Sequence, residues 1–280
     1  MKGSTKTWTL LSLLSLTIIM ISHGWGGRQG LLWGVIIALS INCLIYFYND
    51  LRLDGLFPGQ LVEGQNPWGL LKTAKRFASK ARIPVPRIVV LDVPSPQALV
   101  MGRNWKSASI VLTEGLLRTL SAEEREAVIA YQISCIKKLD TLAFSVASAV
   151  TDFLFAISLS VDLVIRGILG PKKDPHSRQN HLFSLLIAPL ASLLVRLAVG
   201  TSRYLANDSL AASWVENPKA LAHALWKLES YASTKPMEIP AATAPLFIVN
   251  PLTGHGWTRY FHVHPSVEKR IRNLIGYYPI

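Results

Sequence analysis

The sequence predicts an α+β membrane protein, mostly helical, with two transmembrane or membrane-embedded helical hairpins and a soluble unit that carries a small β-sheet. Three observations predict this. Half of the 280 residues are hydrophobic and the mean hydropathy is +0.31, high for a soluble domain of this size. Four apolar stretches occur in two pairs, 8–22 with 31–48 and 141–165 with 182–199. Between and after the pairs the chain returns to mixed polar character with helix and strand patterning. The expected division is 1–50 for the first hairpin, 51–140 for a region of strands and a central helix, 141–200 for the second hairpin, and 201–280 for a C-terminal helical part.

The first apolar run follows Lys2 and Lys6, as a signal peptide would, but no small-residue cleavage site comes after it. Instead the Gly-rich turn 23–30 leads straight into the second run, which makes a hairpin. That turn holds one Arg, whereas the following stretch holds Arg52, Lys72, Lys75, Arg76, Lys80, Arg82 and Arg87. The positive-inside rule then places both ends of this hairpin in the cytoplasm, with Trp8, Trp25, Tyr46 and Tyr48 where an aromatic belt would lie.

Residues 68–80 read as an amphipathic helix with a basic face. Residues 87–92 read as a strand ended by the turn at Pro94 and Pro96, 98–101 as a second strand, and 108–113 as a third, β-branched and apolar. A short helix over 114–120 precedes the central one. Ser121 with Glu124 three residues on forms a capping box, and Val128, Ile129, Ile133 and Ile136 keep helical spacing, so one helix is expected through Asp140. On it Tyr131 and Cys135 share a face, with Gln132 beside them.

The second apolar pair contains Asp152, Asp162 and Arg196, and ionisable groups at such depth face protein or water. Asp152 and Arg196 are expected to pair across this hairpin or to lie near its ends. Its connecting loop carries Arg166, Lys172, Lys173 and Arg178, which resists translocation, so the hairpin either crosses against the orientation rule or dips in from the cytoplasmic side. Helices follow over 202–214 and 218–231, then a Pro- and Ala-rich loop over 231–251. A short basic helix over 265–275 has Pro265 in its first turn.

The net charge of +12 fits Lys and Arg beside anionic lipid, and no basic run is interleaved with aromatics as a nucleic-acid module would be. Membrane lipid is therefore an expected partner and nucleic acid is not. The two cysteines, Cys43 and Cys135, give neither a disulfide framework nor a CxxC pair.

Four stretches together resemble the HtpX-type membrane zinc metalloproteases. Residues 96–103, PQALVMGR, resemble that family's P-N-A-F-A-x-G. Residues 111–117, VLTEGLL, resemble V-x-V-T-x-G-L-L. Residues 120–140 follow the frame of the HExxH helix, including its final Asp140. Residues 264–271, HPSVEKRI, resemble the terminal H-P-x-x-x-x-R-I, with His264 and Pro265 as the signature pair. The resemblance implies a zincin-like domain facing the cytoplasm of a bacterial cytoplasmic (inner) membrane, held there by multiple passes.

The departures fall on the chemistry. In HExxH two His hold zinc and the Glu is the general base. Here Tyr131 and Cys135 stand at the ligand positions and Gln132 at the base. The third ligand of the family lies in E-[FY]-x-A-D, where this chain has Arg203 at the Glu and Asn207 at the Asp. A guanidinium stays charged and repels a dication, and Gln132 accepts no proton from water at neutral pH. Tyr131 is expected to fill the vacated metal cavity, either donating to Gln132 or packing against Arg203. Zinc, the cofactor the resemblance implies, is therefore not expected.

Three functions follow from this set. The first is a catalytically inactive pseudoprotease that acts as a binding, scaffold or regulatory protein in membrane protein quality control. It would take membrane-protein clients or a protease complex as partners, with Ser109, Ile110 and Val111 lining a groove for peptide strand addition. The second is an active membrane zinc metalloendopeptidase whose ligands come from Asp140, Asp208, His255 or His264. The third is a thiol-dependent enzyme using Cys135, activated by Arg203.

Overall fold

The structure is a computed structural model and describes residues 2–64, 66–169, 199–234, 236–237, 239–252 and 264–278. The far arm of the second hairpin with Arg196, its loop from residue 170 on with Lys172, Lys173 and Arg178, and His255 lie outside the described residues; Arg166, expected in that loop, is part of a helix.

Helix α1 (Lys2–Leu56) is one hydrogen-bonded run broken at Gly27, whose φ of 53° and ψ of −132° are not helical. A side chain is strained at such a backbone angle, so glycine is what lets the chain double back there. The two arms then press together. A Cβ on Gly30 would stand 1.9 Å from the Ser22 carbonyl oxygen, so only glycine fits the crossing. Further along, the Asn42 amide donates to Ser15 Oγ at 2.7 Å. Residues 7–46 are the one stretch among the described residues long and apolar enough to cross a membrane. Only 17% of its apolar window is buried, unlike the core helix of a soluble protein. At its end Leu53 and Phe57 enter the core of the soluble unit.

That unit holds a four-stranded sheet in the order β1-β2-β4-β3. The strands are β1 (Gln60–Leu61), β2 (Arg87–Leu91), β3 (Ala98–Met101) and β4 (Ser109–Thr113). β2 and β4 run parallel, and the other two pairings are antiparallel. β4 is apolar and β-branched because it is central: all five of its residues are buried. Both of its edges are already paired, Val111 standing between Val89 and Leu99. Strand addition at Ser109, Ile110 and Val111 is therefore ruled out, since no free backbone groups remain there. The outer edge of β3 is covered as well. Phe247 bridges to Leu99, and Ile248 N donates to the Ala98 carbonyl at 2.9 Å.

Helix α2 (Leu70–Ala81) buries Leu70, Ala74, Phe77, Ala78 and Ala81 and turns its basic residues outward. Thr113 caps the short α3 (Glu114–Thr119) through its hydroxyl, which accepts from Leu116 N. α4 (Ala122–Lys137) starts at the expected capping box, with Ser121 N donating to Glu124 Oε2 and Glu124 N donating to Ser121 Oγ. From Ala127 to Ile136 every residue is buried, as in a helix packed on all sides.

α4 does not run on to Asp140. Leu139 adopts a left-handed φ of 57°, and Asp140 opens the next helix, α5 (Asp140–Leu169). A carboxylate suits that N-terminus, where unpaired N–H groups and the helix dipole favour negative charge. α5 packs along α1, with Leu142, Val146 and Val150 in one cluster with Leu11 and Ile45. Helices α6 (Thr201–Ala212) and α7 (Pro218–Thr234) follow. The loop expected over 231–251 instead contains a 3₁₀ turn, Ala241–Leu246. In α8 (Val267–Ile275) Ser266 is the N-cap, so Pro265 sits just before the helix rather than in its first turn.

Candidate functional site

α6 places Arg203, Tyr204, Asn207, Asp208 and Ala211 on one buried stripe at helical spacing, and that stripe faces α4. Two polar clusters form across this contact.

In the first, Asp140 is the hub. Arg203 Nη1 donates to its Oδ1 at 2.7 Å, and Asn207 Nδ2 donates to its Oδ2 at 2.8 Å. The pair is nearly dry, with side-chain exposures of 9% for Arg203 and 2% for Asp140. Asn207 Nδ2 also lies 3.3 Å from Cys135 Sγ. Ser134 Oγ and Lys138 Nζ donate to the backbone carbonyls of Asn207 and Ala206, which pins α6 on the end of α4. The predicted residues Cys135, Arg203 and Asn207 are therefore brought together, around an anion that completes them.

The second cluster is built on a fully buried fork. Arg270 of α8 donates through Nε and Nη2 to the two Asp208 oxygens at 2.8 and 2.6 Å. Its guanidinium also donates to the Ile248 carbonyl and lies 5.0 Å from the Tyr131 ring centroid. Tyr131 thus packs against Arg270, and it does not donate to Gln132, whose side-chain amide has no partner among the described residues. Tyr204 stacks on Phe144 and donates to the Pro245 carbonyl. His264 meets the Phe247 carbonyl through Nε2 at 2.9 Å and lies over Tyr204. Its signature role here is to hold the Phe247 strap on β3. Gln132 is fully buried, and its side-chain amide has no hydrogen-bond partner among the described residues.

Zinc does not fit these residues. A catalytic zinc takes three ligands from neutral His, thiolate and carboxylate, and keeps an open position for water. Cys135 is the single such donor among the three motif positions, and burial together with the charge of Asp140 pushes its thiol pKa well up, toward the neutral form. Asp140 is occupied by Arg203 and Asn207, and Asp208 by Arg270. Among the described residues no three His, Cys, Asp or Glu side chains come together as a metal-holding group. The alternative ligands Asp140, Asp208 and His264 are likewise each engaged in a different contact.

The same burial removes the thiol reading of Cys135. A nucleophilic thiolate needs exposure and a nearby cation, but Arg203 gives its Nη1 to Asp140, and the Cys135 side chain is 0% exposed. We expect iodoacetamide at pH 8 to leave Cys135 untouched until the protein is denatured, read by peptide mass spectrometry.

Sequence reasoning passed over Arg270 with Asp208 as a pair. The signal was present: Arg270 falls on a face otherwise formed by Val267 and Ile271, and a charge on such a face is buried only when paired.

Comparison with known proteins agrees with this architecture. Residues 68–277 match the model of peptidase family M48. A protein named Protease HtpX homolog from Pelotomaculum thermopropionicum is 34% identical over 278 residues, covering 97% of this chain and 98% of its own. Another of that name, from Desulfatibacillum aliphaticivorans, is 31% identical over 288 residues, covering 100% of this chain and 91% of its own. Among solved structures, S. mikatae Ste24p has a similar fold, with a TM-score of 0.54 at 17% identity. The match covers 98% of this chain and 66% of that one. By the family match and by relatives aligned nearly end to end, the chain belongs to peptidase family M48.

Proposed function

We propose that this protein is a catalytically inactive, HtpX-like member of its family that acts as a binding, scaffold or regulatory protein in a bacterial cytoplasmic membrane. The observation that carries the reading is the Arg203–Asp140 ion pair at 2.7 Å, completed by Asn207. A fixed cation and its counter-ion take the place of a metal and its carboxylate ligand, and the base position holds Gln132. The family frame around them is kept, including the capped motif helix and the His264 contact. Its partners are membrane lipid and membrane proteins, as clients or as parts of a protease complex. α1 crosses the bilayer as a hairpin with both ends on the cytoplasmic side, supported by its low burial and by the basic residues that follow it.

The relatives favour a second reading, an active zinc metalloendopeptidase, because proteins aligned over the whole chain carry the name protease. One measurement separates the two. Protein purified in detergent without chelator is analysed for zinc by mass spectrometry and incubated with casein, with and without chelator. The first reading expects zinc far below one per chain and no chelator-sensitive cleavage. Zinc near one per chain, or cleavage lost on chelation, would establish the second.

A further inference from the structure

We propose that the loop between β3 and β4, residues 102–108, is a foot that rests on the anionic face of the membrane. Trp105 enters the headgroup layer and Lys106 pairs with lipid phosphate. The inference rests on the reading that α1 crosses the bilayer.

The placement comes first. β3 and β4 meet last at the pair Met101 and Ser109, so the loop between them projects from the end of the sheet. It reaches the end of the apolar span. The Arg103 guanidinium lies 5.2 Å from the ring centroid of Tyr46, the residue at which that span stops. Trp8, near the start of the same span, is 52% exposed. The two arms are antiparallel, and Leu11 and Ile45 share one cluster, so Trp8 and Tyr46 mark the same level. Hydrocarbon gives way to headgroups at such a level, where Trp and Tyr concentrate.

The chemistry of the tip suits that layer. Trp105 is 42% exposed, and an indole that is apolar at one end and an N–H donor at the other is best placed at a membrane interface. Lys106 is exposed next to it and makes no ion pair among the described residues, so its charge is available to phosphate. The loop is also preformed. Asn104 Oδ1 accepts from the backbone N–H of Lys106 and of Ser107, both at 2.9 Å, and Ser107 Oγ accepts from Arg103 N at 3.2 Å. Little ordering entropy remains to oppose binding. An anionic surface beside the span accounts for both side chains.

The test uses the full chain in vesicles, with an environment-sensitive fluorophore on single thiols. Cys43 in the wild-type chain is exposed and reports the span. Trp105→Cys in a Cys43→Ser background reports the loop, and Ser233→Cys in the same background, at an exposed position on α7, reports water. In vesicles containing phosphatidylglycerol, the label at 105 should be quenched by acyl-brominated lipid and shielded from aqueous iodide. The ratio of lipid-quenched to water-quenched label should fall in neutral phosphatidylcholine, and roughly fivefold on Lys106→Gln, the worth of one basic residue near an anionic surface. If the Cys43 label is quenched by lipid while the label at 105 behaves like that at 233, the loop stands in water and the proposal is overturned with the span intact. If the Cys43 label also escapes the lipid, the span fails and the foot fails with it. Quenching at 105 that is equal in both lipids and unchanged by Lys106→Gln would overturn the phosphate pairing.

Discussion

Asp208→Ala is expected to cost about 3–5 kcal/mol of folding stability, the penalty for leaving one partner of a buried ion pair without the other. Asp208 and Arg270 are both 0% exposed, and the carboxylate takes two of the fork's hydrogen bonds. Burial pushes the Asp208 carboxyl pKa up while the guanidinium pulls it down, so the charged form depends on Arg270. The reverse dependence is stricter. A guanidinium cannot shed its proton to escape an apolar site, so removing Asp208 strands a cation between Tyr131, Tyr204 and the Ile248 carbonyl. For a unit of this size the loss should appear as a fall in melting temperature of roughly 6–20 °C, followed by tryptophan fluorescence in detergent. Arg270→Lys should also destabilise, because a point charge cannot span both carboxylate oxygens. The double change Asp208→Leu with Arg270→Met should recover much of the loss, since a buried pair is often worth little over apolar packing. The exposed pair Arg272–Glu268 on the same helix is the control. Glu268→Ala should cost only about 0.3–0.5 kcal/mol. A fall below 1 °C for Asp208→Ala would mean that the fork does not hold α8 to α6.

The parts of this fold that were legible in the sequence are those set by local chemistry. The capping box at Ser121 and Glu124 bonds as its spacing requires, because both partners lie within one turn. β4 was readable as an apolar β-branched run, but its place between β2 and β3 was not. A strand buried on both faces looks the same in sequence whether its edges are paired or free. The break at Leu139 was illegible for a related reason. Leucine carries no preference for φ of 57°, and the turn is imposed by what Asp140 gains beyond it, an N-terminal position on α5 and two donors from α6. The two residues of β1 were too few to carry a period.

The candidate site divides in the same way. The substitutions at Tyr131, Gln132, Cys135, Arg203 and Asn207 were visible against the family frame. The partner that makes sense of Arg203 lies 63 residues away in sequence, across the second hairpin, and only the packing of α6 on α4 joins the two. Tyr131 and Arg203 stand at ligand positions of two separate motifs, and sequence alone gives Tyr131 a choice between Gln132 and Arg203 as neighbour. In the fold the cation nearest its ring is Arg270, delivered by the terminal helix.

The combined variant Tyr131→His, Gln132→Glu, Cys135→His and Arg203→Glu is expected to bind zinc at close to one per chain and to become dependent on it. The reason lies in Asp140. Arg203→Glu replaces the cation 2.7 Å from the Asp140 carboxylate with a second anion, and Gln132→Glu adds another carboxylate at a fully buried position. Like charges at such range cannot all ionise, so without metal the variant should be less stable than wild type. Zinc supplies the missing positive charge, and at a thousandfold excess over its Kd it should return about 4 kcal/mol. The melting temperature of the variant should therefore climb with zinc concentration, while that of the wild type should not move. The decisive comparison is the triple variant that keeps Arg203. It carries both histidines and the glutamate, yet a guanidinium tied to Asp140 still stands where the third ligand belongs, so its zinc affinity should stay at least tenfold weaker, about 1.4 kcal/mol. If the triple variant binds as tightly as the quadruple, the Arg203–Asp140 pair is not what excludes the ion. If neither binds while both remain folded, the spacing of α4 and α6, and not only the side chains, keeps the ion out.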